Sequence, residues 1–219
     1  MRILLADDHA LVRCVYRRIL EKEFHEAEFG EAENSQRAMD AMLEESWDLV
    51  ILDIYMPGCG GLDVLTKIRA QRPGIQILIV SMHAQQSFVF RALRSGASGY
   101  LDKASTSGEL IKAVGCVLEG RRYLGQALAE QWAAALGCPE ADVLEGKLSN
   151  REFDVLRKIA TGTSVVKIAH EMRLSSNAVG TYRSRIFKKM QMLTNTDLML
   201  YAIQNRLVVS DPECSRANA

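Results

Sequence analysis

The feature that most constrains the fold of this chain is a set of short apolar runs that end on aspartates. The run at residues 3–6 (ILLA) stops at Asp7 and Asp8, and the run at residues 49–52 (LVIL) stops at Asp53. A fully apolar run of this length favours a parallel strand that is buried on both faces of a sheet. Because the carboxyl ends of parallel strands lie along one edge of such a sheet, these aspartates should meet there.

Two later runs extend the same pattern. Residues 77–80 (ILIV) end at Ser81, and residues 100–102 (YLD) are followed by Lys103. Stretches with helical spacing separate the runs and predict helices near 11–20, 34–43, 62–70, 86–94 and 108–119, with a short second strand at 27–29. Five strand–helix repeats predict an α/β fold, a flavodoxin-like doubly wound parallel sheet with strand order 2-1-3-4-5.

The charges of these strand-end residues indicate their chemistry. Clustered carboxylates cannot all remain ionised unless a cation is present. Oxygen ligands with few side chains suit Mg²⁺ held partly by water and phosphate, and a nearby lysine offers a point charge to a phosphoryl oxygen. The set therefore indicates phosphoryl transfer with a carboxylate as nucleophile. The plain alternative is that these aspartates are helix N-caps or turn residues.

The segments around these residues resemble a known domain. Residues 53–58 (DIYMPG) and 60–62 (GGL) are similar to the loop after the phosphoacceptor of response-regulator receiver domains, and Ser81 occupies the receiver's hydroxyl position. Residues 81–83 (SMH) and 96–103 (GASGYLDK) resemble the NarL/FixJ branch in particular. The resemblance covers residues 1–121, which we predict to be a receiver (phosphoacceptor) domain.

This resemblance implies a metal site around the acceptor. Asp53 would accept a phosphoryl group from a sensor histidine kinase. Asp8 would bind Mg²⁺ directly together with Asp53, Asp7 would bind it mainly through water, and Tyr55 would supply its backbone carbonyl. A receiver of this kind catalyses only its own phosphorylation and dephosphorylation, so we do not expect an enzyme that acts on a separate substrate.

The resemblance also implies a switch. Ser81 and Lys103 would bind phosphoryl oxygens after transfer, and Tyr100 would turn inward. Added negative charge at Asp53 would bias a two-state surface near the fourth and fifth predicted helices. That surface would release the tail half or form a homodimer when the protein is phosphorylated.

The charge is distributed unevenly along the chain. Residues 1–121 carry a net charge of −3, residues 122–146 carry −3, and residues 147–219 carry +6. A basic tail half suggests that this half meets a polyanion. We interpret 122–146 as a solvated linker with a short helix over 126–136, and 212–219 as a tail. Five scattered cysteines without a C-x-x-C pair, no signal peptide and no long apolar stretch predict a cytoplasmic protein without a membrane partner.

The tail half has the pattern of an all-α helix-turn-helix domain over residues 147–211. Ser149 and Glu152 have the spacing of a capping box at the start of a helix. A later helix is predicted over 177–190, directly after a tight turn, as the second helix of a helix-turn-helix would be. One face of this helix is apolar. The other carries basic side chains, which suit DNA phosphates, and hydroxyl groups, which suit phosphates or base edges of double-stranded DNA. The predicted DNA-binding residues are Asn177, Thr181, Arg183, Ser184, Arg185, Lys188 and Lys189. The alternative is an ordinary solvated basic helix.

The same segment resembles a LuxR-type DNA-binding domain over residues 147–209. The matching motifs include 148–152 (LSNRE), 160–164 (ATGTS) and the pair Lys189-Met190. The final helix, near 196–205, resembles the family's dimerisation helix and implies that Leu198 and Ala202 form a dimer contact. Gly180 departs from the pattern because the family usually has a long DNA-contacting residue there.

Together these observations predict a two-domain response regulator of the NarL/FixJ type that regulates transcription. Two other classes remain open. A phosphatase with an aspartyl intermediate would need a second acid close after the nucleophile, where Tyr55 stands. A regulator independent of phosphorylation would be expected to lack part of the acidic set, which is intact here.

Overall fold

A computed structural model describes residues 1–56, 60–82, 86–125, 129, 144–205 and 207–208. The chain divides into two compact units, Met1–Ala141 and Asp142–Ala219. The predicted linker helix over 126–136 lies outside the described residues except for position 129, and the predicted tail 212–219 lies outside them entirely. No described helix combines the length and apolar character that crossing a membrane requires.

The first unit is built on a six-stranded parallel sheet. The strands are β1 (Arg2–Ala6), β2 (Glu28–Ala32), β3 (Leu49–Asp53), β4 (Gln76–Ser81), β5 (Gly99–Asp102) and β6 (Tyr123–Leu124). Their order is β2-β1-β3-β4-β5-β6, which confirms the predicted order of the first five. The sixth strand was not predicted, because two residues are too few to show a period.

Five described helices cover the sheet: α1 (Ala10–Glu23), α2 (Ser35–Glu44), α3 (Gly61–Gln71), α4 (Gln86–Arg94) and α5 (Ser107–Leu118). Alternate strand residues face opposite sides, so the sheet has two apolar layers. Leu4, Val50 and Ile77 pack in one layer with side chains of α2, α3 and α4. Ile3 and Leu78 pack in the other with side chains of α1 and α5. Burial on both sides explains why β1, β3 and β4 contain continuous apolar runs, whereas the edge strand β2 does not.

Gly61 determines how the chain returns to the sheet after β3. Its amide donates a hydrogen bond to the Ile54 carbonyl at 2.9 Å. A Cβ at this position would lie 2.5 Å from the Asp53 carbonyl oxygen and 2.5 Å from Ile54 Cα. These neighbours are backbone atoms, so no side-chain rotation can relieve the contact, and α3 starts against β3 because the residue is glycine.

The second unit is helical, with a 3-10 helix (Leu144–Lys147) followed by α6 (Asn150–Ala160), α7 (Val165–Met172), α8 (Ser176–Met190) and α9 (Asn195–Gln204). The predicted capping box at the start of α6 is present, because Ser149 and Glu152 each bond the backbone of the other. The core is formed by one apolar face from each helix, including Phe153, Leu156, Ile168, Val179, Ile186, Met190 and Leu198.

The 3-10 helix corrects part of the linker prediction. Residues up to Glu145 were expected to be a solvated tether, but Glu145 is only 3% exposed. The Tyr201 hydroxyl of α9 donates a hydrogen bond to the Glu145 carboxylate. Burial of the Tyr201 side chain raises its pKa well above the usual range, and the hydrogen bond to the Glu145 carboxylate raises it further. The prediction was wrong here because a partner 56 residues away leaves no sign in local sequence.

Candidate functional site

The predicted strand-end residues meet at one edge of the sheet. The register pairs Ala6 with Leu52 and Asp53 with Val80, so β1, β3 and β4 end side by side. Asp7 and Asp53 are 4% and 3% exposed, and Ser81 is fully buried. Three polar side chains buried at the end of an apolar sheet are costly unless they have partners, so this arrangement is typical of a functional site.

Lys103 is the cation that balances the buried carboxylates. Its Nζ lies 2.6 Å from Asp7 Oδ2 and 2.9 Å from Asp53 Oδ2, and all three side chains are almost fully buried. The backbone brings Lys103 into reach because its amide bonds the Ser81 carbonyl at 3.0 Å. Lys103 therefore compensates a charge on Asp53 Oδ2 that would otherwise be buried without a partner.

Burial and the ion pairs act against each other on these groups. Burial raises the pKa of Asp53, and the hydrogen bond from Lys103 offsets this only in part. Burial lowers the pKa of Lys103, but its hydrogen bonds to Asp7 and Asp53 outweigh burial and leave the pKa raised. The lysine is therefore charged at neutral pH and available to bind an anionic oxygen.

The carboxylates can hold a divalent cation. Ligand atoms of Asp7, Asp8, His9 and Asp53 all lie within 4.8 Å of one another. Asp8 Oδ1 is shielded from solvent and has no hydrogen-bond partner among the described residues. A buried carboxylate oxygen without a partner is costly unless a cation completes its environment, so the residues fit a metal site. The Tyr55 amide bonds Asp53 Oδ1 at 3.1 Å, which keeps this predicted backbone ligand beside the acceptor.

His9 is the one member of this group that the sequence analysis missed. It lies at the N-cap of α1, where its amide donates to Asp7 Oδ1 at 2.9 Å. Its Nδ1 lies 2.8 Å from Asp8 Oδ1 and 3.2 Å from Asp7 Oδ1. Its position directly after Asp7 and Asp8 was the available signal.

Tyr100 has the orientation that the switch prediction assigned to the phosphorylated protein. The side chain is fully buried and belongs to the apolar layer under α2, α3 and α4. In this structure the ring is therefore already turned inward.

The exposed face of α8 carries most of the predicted DNA-binding residues. Asn177, Thr181, Ser184, Arg185 and Lys188 are all exposed. The Thr181 and Ser184 hydroxyls donate to the carbonyls four residues earlier, at 3.0 and 3.1 Å, and keep their acceptor lone pairs. A Cβ on Gly180 would meet open space, so a side chain would fit there.

Two of the basic residues predicted to bind DNA have interaction partners within the second unit. Lys189 Nζ lies 2.6 Å from a Glu152 carboxylate oxygen that is itself buried, and this hydrogen bond lowers the pKa of Glu152 against the opposing effect of burial. The Arg183 guanidinium lies over the Phe187 ring at 5.2 Å. The Lys189 and Arg183 side chains are therefore less free to reach a DNA phosphate than those of Arg185 and Lys188.

The structure places the predicted dimer residues in the core of their own unit. Leu198 and Ala202 are fully buried, since they form the face of α9 that packs on α6. The exposed apolar side chains of this helix are Leu200 and Ile203, at 52% and 49%. A residue with no exposed surface in its own unit is not placed to contact a second protomer, so the predicted contact through Leu198 and Ala202 does not fit this structure.

Comparisons with known protein families support the two-unit organisation. A family model of the response regulator receiver domain matches residues 3–115. A second model, of bacterial regulatory proteins of the luxR family, matches residues 146–202. The two matches cover the units that carry the acidic edge and the basic helix.

Individual proteins are similar over most of the chain. Response regulator UvrY of Escherichia coli (strain K12) is 32% identical over 208 residues, which are 94% of this chain and 95% of UvrY. A LuxR-family two-component response regulator from Aurantimonas sp. SI85-9A1 is 36% identical with a TM-score of 0.59, covering 62% of this chain and 96% of that one. RcsB from Salmonella enterica serovar Typhimurium, bound to promoter rprA with phosphomimetic BeF3-, has a TM-score of 0.67 at 24% identity, covering 92% and 98%.

Proposed function

Because this chain belongs to the response regulators that join a receiver domain to a LuxR-type DNA-binding domain, we propose that phosphorylation of Asp53 switches its activity. A sensor histidine kinase supplies the phosphoryl group, and the phosphorylated protein binds double-stranded DNA as a homodimer. The observation that carries the proposal is Lys103 Nζ, held between two buried carboxylates at the sheet edge. A regulator that binds bacterial DNA would act in the cytoplasm.

The residues divide the transfer between them. An Asp53 carboxylate oxygen attacks phosphorus, so a P–O bond forms as the bond to the donor nitrogen breaks. Lys103 Nζ moves from the acceptor oxygen to a phosphoryl oxygen, and the Ser81 hydroxyl donates to another. The added charge then favours one of two arrangements of the surrounding surface.

Four residues would hold Mg²⁺ in this proposal. Asp8 and Asp53 supply carboxylate oxygens, Tyr55 its backbone carbonyl, and Asp7 a contact through water. Mg²⁺ would neutralise negative charge on the transferring phosphoryl group. Incubating the full chain with acetyl phosphate and Mg²⁺ tests the proposal. We expect intact-protein mass spectrometry to show one added phosphoryl group, and no uptake would contradict it.

Arg185→Ala and Lys188→Ala should each weaken DNA binding. Both side chains are exposed on α8 and have no ion pair among those found in the described residues. If each neutralises one phosphate, its loss should lower the slope of log affinity against log salt by roughly one unit. The measurement is a binding titration of the phosphorylated full chain at several salt concentrations, on specific and scrambled duplexes.

Lys22→Ala is the matched control, because Lys22 is an exposed lysine in the last turn of α1 of the first unit. It should bind as wild type does. Thr181→Ala and Ser184→Ala should instead change sequence preference, by about 1–3 kcal/mol at single base pairs. If the Arg185 and Lys188 variants keep the wild-type affinity and salt slope on both duplexes, α8 is not the helix that binds in the DNA groove.

Combined replacement of Leu200 and Ile203 by serine should weaken the phosphorylated dimer. Both are half-exposed apolar side chains three residues apart on α9. Burying such side chains across a two-fold interface would contribute enough free energy that their loss raises the dimer dissociation constant about tenfold or more. Light scattering of the phosphorylated protein over a concentration series measures this constant.

Leu198→Ala provides the contrast on the same helix. Leu198 is fully buried in its own unit, so we expect a loss of about 2–5 kcal/mol in the stability of that unit. If the Leu200 and Ile203 double variant dimerises as the wild type does, this face of α9 is not the dimer contact.

A further inference from the structure

We propose that His9 Nδ1 is a further ligand of the divalent metal at the Asp53 site, so that this site takes first-row transition ions such as Mn²⁺ with a nitrogen donor. The inference rests on the proposed function, because it assumes that the acidic edge binds a metal. It adds a chemical type of ligand that the carboxylates and the Tyr55 carbonyl do not provide.

The separations between donor atoms fit one coordination sphere. With metal–ligand bonds of about 2.1 Å, neighbouring donors of an octahedral ion are about 3 Å apart. His9 Nδ1 lies 2.8 Å from Asp8 Oδ1 and 3.2 Å from Asp7 Oδ1. The Asp53 carboxylate belongs to the same group, within 4.8 Å. No large movement is therefore needed for a single ion to contact the imidazole and a carboxylate together.

His9 Nδ1 already faces the carboxylates of the site. It is hydrogen-bonded to Asp7 Oδ1 at 3.2 Å, whereas Asp8 Oδ1, 2.8 Å away, has no hydrogen-bond partner among the described residues. Because a carboxylate only accepts, Nδ1 donates its proton to Asp7 in the absence of a metal. A metal ion bound to Nδ1 would take the place of this proton.

The side-chain hydrogen bond of His9 among the described residues is to Asp7, which belongs to the same group of metal-ligand atoms. His9 stands at the N-cap of α1 but makes no side-chain capping bond. It is 65% exposed, so Nε2 can carry the proton toward water when Nδ1 binds the metal. The backbone holds its position, because the His9 amide bonds Asp7 Oδ1.

A nitrogen ligand changes which metals bind well. Mg²⁺ prefers oxygen ligands and gives up water reluctantly, whereas imidazole favours transition ions. His9→Ala should therefore raise the dissociation constant of Mn²⁺ by about tenfold and leave that of Mg²⁺ nearly unchanged. Isothermal titration of the full chain with each ion alone, at one pH, measures both constants.

The control for affinity is His25→Ala, since His25 is exposed and bonds the Glu21 carbonyl rather than the acidic group. It should bind both ions as wild type does. Equal affinities of wild type and His9→Ala for Mn²⁺ would overturn the inference. The proposed function would still stand if both ions bind and Asp53 is phosphorylated.

Pulsed electron paramagnetic resonance of bound Mn²⁺ gives a direct signature. We expect the wild type to show echo modulation from a coordinated ¹⁴N nucleus, and His9→Ala to lose it. His83 follows Ser81 by two residues in the sequence, so His83→Ala is tested in parallel and should keep the modulation. Modulation that persists without His9, or that disappears without His83 instead, overturns the assignment. Failure of the wild type to bind either metal would refute the proposed function as well.

Discussion

Asp53→Asn should abolish phosphorylation by acetyl phosphate. The amide that replaces the carboxylate has nearly the same shape but is a poor nucleophile, and it cannot offer an anionic oxygen to the metal. Asp53 is the only carboxylate at the end of β3, so no neighbour on that strand can take its place. Mass spectrometry of the intact chain after incubation with acetyl phosphate and Mg²⁺ measures the loss.

Two further variants separate the nucleophile from its surroundings. Asp8→Asn should impair labelling through lost metal affinity, and a higher Mg²⁺ concentration should restore part of it. Asp102→Asn should label as the wild type does, because the Asp102 carboxylate accepts the Ala104 amide at 2.8 Å and is not part of the metal-ligand group. Full labelling of Asp53→Asn would show that the acceptor is another residue.

Lys103→Met should strongly destabilise the first unit when no metal is present. Methionine keeps the length of the side chain but removes the charge that faces Asp7 and Asp53 at 2.6 and 2.9 Å. Removing one partner from a buried ion pair typically costs about 3–5 kcal/mol, because the remaining charge stays buried without compensation. The measurement is the urea concentration at which β1 and β3 lose hydrogen-exchange protection, in the presence of EDTA.

Mg²⁺ should reverse part of this loss. A divalent ion supplies the positive charge that the variant lacks, whereas in the wild type it must compete with the lysine for the same oxygens. Added Mg²⁺ should therefore stabilise Lys103→Met more than it stabilises the wild type. Lys112→Met, which replaces an exposed lysine of α5, should leave the unfolding midpoint unchanged in both conditions. A wild-type midpoint for Lys103→Met in EDTA would show that the ion pairs do not stabilise the fold.

The central strands could be predicted from the sequence because burial on both faces makes the residues between their ends apolar, whereas the edge strand β2 (EFGEA) is partly exposed. The runs that end at Asp53 and Ser81 correspond to β3 and β4, whose ends lie where predicted. The alternation of strands and helices predicted a doubly wound sheet, and the order 2-1-3-4-5 is the one typical of its flavodoxin-like type. Helix starts were also legible where a side chain caps the backbone, as at Asn34, whose Oδ1 accepts the Arg37 amide at 2.9 Å.

Contacts between side chains of different helices in the second unit could not be predicted, because their partners leave no periodic trace. The sequence predicts Lys189 as an exposed basic residue that is available to DNA. Its ammonium group instead donates a hydrogen bond to Glu152, 37 residues earlier in the chain. Leu198 and Ala202 were assigned to a dimer through the role of their helix in the family. Helical spacing does not show which of two apolar faces a helix buries within its own unit. In α9 the side chains of Leu200 and Ile203 stay exposed.

Gly61 has a consequence for reading other chains of this type. It bears no functional group and stands eight positions after Asp53, so a comparison limited to reactive side chains would not include it. Yet its missing Cβ is the space that the Asp53 carbonyl occupies. A related chain that keeps the aspartates and the lysine but carries a larger residue here must have moved the end of the acceptor strand. The side chain at this position is therefore a marker of altered acceptor geometry in sequences whose reactive residues all look intact.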